Sequence, residues 1–146
     1  MKTIIATSAL LLASLAHAQE VRTMPTNDQE AAVAQKLIDR HFEIWNDTDA
    51  ASRLPKYPAV YTSEFFVADY AGKETGYAAV DRKIGELQKK NAGFRFTPEP
   101  ITWNHGVGRV TWGYGPKDKP NQIRGEDIFT IEHGKLASAR VFIDKQ

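Results

Sequence analysis

The stretch Glu126–Asp144, EDIFTIEHGKLASARVFID, constrains the chain more than any other. Two apolar-patterned runs flank a tight polar turn, His133-Gly134-Lys135. Period-2 alternation puts Asp127, Phe129 and Ile131 on one face of the first run, and Ile128 and Thr130 on the other. After the turn, Leu136 and then Val141, Phe142 and Ile143 rebuild a strand. Gly134 stands where a hairpin connection tends to need positive φ. The exception is Asp127, a carboxylate in register with two residues that should face a core. A charge there costs free energy unless it is hydrogen-bonded, paired or kept neutral.

The rest of the chain reads as a container for that carboxylate. Asn27 or Asp28 can cap a helix in which Ala31, Ala34, Leu37, Ile38, Phe42 and Trp45 follow helical spacing, with Val33, Leu37, His41 and Ile44 on an overlapping stripe. Asn46 is a C-terminal cap, and Thr48 or Asp49 starts a short second helix through Leu54. Pro55 and Pro58 break the helical pattern. YTSEFFVADY, from Tyr61 to Tyr70, is rich in strand formers. Gly72 to Gly76 reads as a loop, and Tyr77 to Lys90 as a helix with Ala79, Val80, Ile84 and Leu87 on one stripe. After Gly93 the pattern is β: Phe94 to Thr97, Ile101 to His105, Arg109 to Tyr114, Ile123 to Ile131 and the last strand. Helices collected early and antiparallel strands late predict an α+β fold, a curved antiparallel sheet wrapped over N-terminal helices.

Lys2, an apolar run from Ile4 to Leu15 and the small-x-small site Ala16-His17-Ala18 predict a secretory signal peptide over residues 1–18. A loose arm over 19–28 and one domain over 29–146 follow. The expected location is therefore extracellular or periplasmic. Removing Lys2 leaves 18 Lys and Arg against 18 Asp and Glu. That neutrality argues against nucleic acid or an anionic membrane as partner. The absence of cysteine excludes thiol catalysis and cysteine metal sites. The histidines form no His-x-x-x-His pair, so no metal is expected. No Gly-rich phosphate loop or nucleophile elbow is present, and no cofactor is implied. Asn46-Asp47-Thr48 is a glycosylation sequon, although a turn or cap role is sufficient reason for it.

Three polar residues recur at inward positions: His41 on the first helix, Asp69 at the end of the first strand, and Asp127. Together they suffice for proton transfer on a small apolar ligand: a carboxylate base, a neutral carboxyl donor, and a histidine that serves as acid or base. Each has a plainer alternative. His41 is also an ordinary core histidine, Asp69 a turn residue before Gly72, and Asp127 an edge residue paired with Arg124 or Arg140. Trp103, Trp112, Tyr114 and Phe129 are candidates for a ligand cavity, or for ordinary core.

Three segments, LIDRHFEIWNDTDAAS, YTSEFFVADYAGKETGYAAVDRKI and GEDIFTIEHGKLASARVFID, resemble in their order and spacing the SnoaL-like, nuclear transport factor 2-like superfamily. The resemblance covers about Glu30 to Asp144. It implies a cystatin-like cone and a homodimer. Within the superfamily the chemical comparison is with ketosteroid isomerases, in which an Asp acts as base and a protonated Asp with a Tyr forms an oxyanion hole. By motif, Asp69 falls at the base-like position and Asp127 at the oxyanion position, while His41 stands where the Tyr would be. Tyr70 replaces a proline that often follows the acidic residue. These departures argue against steroid isomerisation in particular. The resemblance implies a small apolar ligand and acid–base isomerisation, cyclisation or dehydration. The alternative is a non-catalytic ligand-binding or interaction module of the same fold.

Overall fold

The computed structural model describes residues 26–144; the expected leader and most of the expected arm lie outside the described residues. Helix α1 spans Asn27–Asn46. Its cap is Thr26, one residue before the expected Asn27: Thr26 Oγ1 accepts from Gln29 N, and Gln29 Oε1 accepts from Thr26 N. This reciprocal box satisfies two backbone donors at once, which a lone Asn or Asp cap does not. Asp28, assigned to the arm from the sequence, is therefore inside the helix. Ala34, Leu37, Ile38, His41, Phe42 and Trp45 are the buried stripe, whereas Val33 is exposed.

Helix α2, Ala50–Arg53, is capped by Asp49. A 3₁₀ turn at Leu54–Lys56 and helix α3 at Tyr57–Val60 follow directly. Pro55 and Pro58 do not end helical structure as the sequence pattern suggested. Each sits in the first turn of a new short helix, where its missing N–H removes no bond. Arg53 locks this corner. Its Nε lies 2.6 Å from Asp81 Oδ1, its guanidinium also donates to Asp47 O, and Tyr57 Oη donates to the same Asp81 oxygen.

Strand β1 is Tyr61–Asp69 and β2 is Gly72–Thr75, so the segment expected as a loop after Gly72 is mostly an edge strand. The Asp69 side chain closes their turn by accepting from Ala71 N and Gly72 N. Helix α4, Tyr77–Lys90, has the expected limits. Strands β3 (Arg95–Pro98), β4 (Thr102–Asn104), β5 (Val107–Gly115), β6 (Ile123–Glu132) and β7 (Lys135–Ile143) complete a seven-stranded sheet. Its order is β2-β1-β7-β6-β5-β3, with β4 also on β5. The sheet is antiparallel except at β1–β7, which pair in parallel. A parallel pair needs a long crossover, and here all of α4 and β3–β6 lies between the two strands.

Two hairpins turn on His-Gly pairs. His105 and Gly106 have φ of 40° and 92°, and His133 and Gly134 have 50° and 73°. Both central residues are left-handed, the geometry that matches the right-handed strand twist in a two-residue connection. At the other end of the sheet, Asn46 Nδ2 donates to Phe96 O and Asn46 Oδ1 accepts from Phe96 N. The sequon asparagine thus stitches the end of α1 to β3. The core lies between the α1 stripe and the concave sheet face, with Phe65, Val110, Phe129, Leu136 and Ala139 buried opposite Ile38 and Phe42.

Candidate functional site

The concave face does not close completely on α1. It leaves a cavity of about 280 Å³ bordered by α1, α4 and strands β1, β3, β5, β6 and β7. Its walls are mostly aromatic and aliphatic, with Trp45, Phe96, Trp112 and Tyr114 forming one side. Phe96 joins them, edge-on to Trp112 and Trp45 and stacked on Tyr114. His41, Asp69 and Asp127 all line this one cavity. Trp112 and Tyr114 line it as well, but Trp103 and Phe129 do not. Trp103 sits on β4 against α1, where its Nε1 donates to Glu30 Oε2. Phe129 is fully buried behind the cavity wall, with its ring 5.0 Å from that of His41. Alternation put Phe129 on the correct face, but its ring is core packing.

Asp127 is 5% exposed. Trp112 Nε1 donates to its Oδ1 at 2.9 Å, and the second oxygen has no protein partner among the described residues. Neither Arg124 nor Arg140 reaches it. Arg124 faces Asp144, and Arg140 donates to Ser138 and lies over the Phe66 ring. Burial dominates the carboxyl's behaviour and raises its pKa from 3.8 to about 7. The Trp112 hydrogen bond acts the other way, and the neighbouring Glu126 charge adds to the rise.

Asp69 is a different kind of group. Oδ1 accepts two backbone N–H bonds, and Oδ2 lies 2.8 Å from Lys83 Nζ. Burial is the largest single influence and pushes its pKa up. Lys83 and the amides of Ala71 and Gly72 together outweigh it and hold the pKa below the ordinary value. Both of its oxygens are therefore engaged, and the carboxylate is ionised at neutral pH. His41 is 2% exposed, and burial pushes its pKa from 6.5 down to about 3, so the imidazole is neutral. Its Nδ1 lies 2.9 Å from Tyr61 Oη.

Lys83, Tyr61 and Trp45 were not among the residues singled out from sequence. Lys83 follows Val80 by three and precedes Leu87 by four, so it sits on the inward stripe of α4, and a lysine on an apolar stripe was the available signal. Tyr61 shares its face of β1 with Phe65, Val67 and Asp69 by alternation. Among the described residues, no group of His, Cys, Asp and Glu could hold a metal ion.

No protein-family model and no curated protein matches the sequence. Solved structures do. A proposed isomerase of the SnoaL-like family from Agrobacterium tumefaciens matches with a TM-score of 0.72 at 16% identity, over 78% of this chain and 99% of that one. A protein of unknown function with a cystatin-like fold, from Methylobium petroleophilum, matches at 0.65 and 16%, over 80% and 78%. A proposed SnoaL-like polyketide cyclase from a Jannaschia species matches at 0.64 and 17%, over 77% and 86%. The chain has the SnoaL-like, nuclear transport factor 2-like fold, a cystatin-like α+β cone. At these identities the likeness carries the fold and leaves the chemistry to the site itself.

Proposed function

We propose that the protein is exported behind a cleaved leader, binds a small and largely apolar molecule in its cone, and catalyses an acid–base isomerisation, cyclisation or dehydration. One observation carries the reading: a buried carboxyl with a pKa near neutrality borders an aromatic-walled cavity of about 280 Å³. A group with that pKa both takes and returns a proton at neutral pH. The roles differ from those that the family resemblance implied. Asp127 moves the proton. His41, neutral, donates a hydrogen bond to the oxygen on which charge develops. Asp69 anchors Lys83 at the cavity wall and is not the base. Trp112 and Tyr114 contact the ligand.

The test is turnover of small ketones, hydroxy-ketones and phenolic precursors by the wild type and by Asp127→Ala. A substrate whose conversion is lost in Asp127→Ala and follows an apparent pKa near 7 supports the reading. Conversion unchanged in that variant would sink it.

The engagement of both Asp69 oxygens favours a second reading, a non-catalytic binding module. A compound that co-purifies in the cone and is recovered unchanged after long incubation would favour this second reading. The resemblance also leads us to propose pairing of two copies, which light scattering at several concentrations would check.

A further inference from the structure

Tyr61 and His41 meet in the core at the edge of the cone. His41 Nδ1 and Tyr61 Oη are 2.9 Å apart, both residues are buried, and one proton lies between them. Neutral imidazole carries its single proton on one nitrogen, and the partner of the other nitrogen selects which. If Nδ1 carried it, Tyr61 Oη would be the acceptor, and the phenol would have to place its own proton on another acceptor. The structure offers none among the described residues. The other polar group near the phenol is the Trp45 indole, which acts to lower the Tyr61 pKa against the dominant effect of burial. Its Nε1–H does not meet hydrogen-bond geometry with any group, and an indole can only donate. The phenol therefore has one acceptor, His41 Nδ1, and donates to it.

We infer that Tyr61 is a positioning residue that fixes His41 as the Nε2–H tautomer, so that the cone presents neutral donors to ligands carrying an uncharged acceptor oxygen, a ketone or aldehyde. The ligand half of this inference rests on the cone being the binding site. Nε2 has no protein partner among the described residues, and His41 borders the cavity. Trp45 Nε1 and Tyr114 Oη are also buried without a hydrogen-bond partner, but they sit beside Tyr61 and Asn91, which do not line the cavity, so the donor offered to a ligand is His41 Nε2–H. Asp69, the carboxylate at the inner wall, is already paired with Lys83.

Tyr61→Phe is the discriminating variant. The ring stays stacked on Phe65, whose centroid is 4.1 Å away, and only the hydroxyl is lost. Long-range 1H–15N correlation on uniformly labelled protein reads each histidine's tautomer, and His41→Asn identifies the His41 signals by their disappearance. The wild type should show a bare Nδ1 and a protonated Nε2 at pH 7, and Tyr61→Phe should replace this by a mixture of tautomers. An Nδ1–H tautomer or an imidazolium in the wild type would overturn the inference, as would an unchanged pattern in Tyr61→Phe. The wild-type spectrum decides the tautomer even if the variant does not fold. For the ligand class, binding of 2-acetylnaphthalene is compared with that of naphthalene. The ketone should bind about tenfold tighter in the wild type, the scale of one well-placed hydrogen bond, and Tyr61→Phe should shrink that preference. Equal affinities would overturn the ligand half. Binding of neither probe would sink the ligand half together with the reading of the cone as a ligand site, and would leave the tautomer result standing.

Discussion

Replacing Asp127 by Asn should change the pH dependence of this protein's stability in a way that no surface substitution can. The amide keeps an acceptor for Trp112 Nε1, which now donates to Oδ1 at 2.9 Å, and removes the ionisable group. In the unfolded chain the carboxyl loses its proton near its ordinary value of 3.8, and in the folded protein near 7. Between those values the folded state holds one proton more than the unfolded state. Stability from this group is therefore fully present below the unfolded value and falls as pH rises, until it levels off above about 7. A gap of about 3 pH units, at about 1.4 kcal/mol each, makes the loss about 4 kcal/mol. That is a large part of a small domain's total stability.

His41 runs the opposite way. Its folded value of about 3 lies below its unfolded 6.5, so its contribution to stability falls as pH drops through that window. Across the overlap, from about pH 4 to 6.5, the two slopes nearly cancel in the wild type. The Asn variant exposes the histidine slope alone. Urea unfolding followed by tryptophan fluorescence, repeated from pH 4 to 8.5, measures both proteins. The variant should match the wild type within about 1 kcal/mol near pH 4 and exceed it by about 4 kcal/mol near pH 8. A difference that does not change with pH, or a variant less stable than the wild type at pH 8, would show that Asp127 is not a buried carboxyl with a raised pKa.

Other perturbations separate the remaining parts. Arg53→Met takes from the partly buried Asp81 the buried guanidinium that now sits 2.6 Å away, and should cost roughly 3 kcal/mol in urea unfolding; an unchanged midpoint would refute the account of that corner. Gly125→Ala places a Cβ 2.7 Å from the Trp112 ring and 2.6 Å from Phe142 O. It should cost roughly 1–3 kcal/mol and, by shifting the indole off Asp127, raise the carboxyl's pKa further. Carboxyl 13C titration reads that value, and a fall instead of a rise would contradict the role given to Trp112. Asp69→Asn breaks a pair with Lys83 that is about one-fifth exposed, and should cost about 1 kcal/mol. The loss should appear above pH 3.8 and vanish as pH drops through the lower folded value, and turnover should survive better than in Asp127→Ala. The reverse order of turnover would restore Asp69 as the base.

Most of the fold is legible because its signals are local. The α1 stripe, the limits of α4 and the hairpin at His133-Gly134 follow from spacing and turn residues alone. The parallel β1–β7 pair does not, because nothing within either strand records which neighbour it meets after a long crossover. The short helices across Pro55 and Pro58 are not legible in the pattern, because a proline that ends one helix equally starts the next. In the site, alternation places Asp127 on the inner face but does not distinguish a residue lining the cavity, such as Trp112, from one that does not, such as Phe129 or Trp103. The position of Lys83 on the apolar stripe of α4 is a weak signal, because a lysine stem covers apolar surface whether its ammonium ends inward or in solvent.

These assignments combine into a constraint that none of them gives singly. Asp69 and Lys83 cancel each other at the cavity wall, His41 is neutral, and Asp127 is divided between its two forms near pH 7. The charge deep in the cone therefore changes through one group only. Protonated, Asp127 is a neutral donor lining the same cavity as the His41 imidazole, and an uncharged acceptor oxygen finds matched partners. Ionised, the same carboxylate is an acceptor that can remove a proton from the ligand, and the negative charge then passes to the ligand's oxygen, facing the neutral His41 donor. Binding of a neutral ketone should therefore tighten as pH falls through about 7, while the rate of proton removal should rise as pH climbs through the same value. Opposed pH trends in affinity and in rate, governed by one carboxyl, are what this arrangement requires of any true substrate. A substrate for which both trends ran in the same direction would place the chemistry elsewhere than at Asp127.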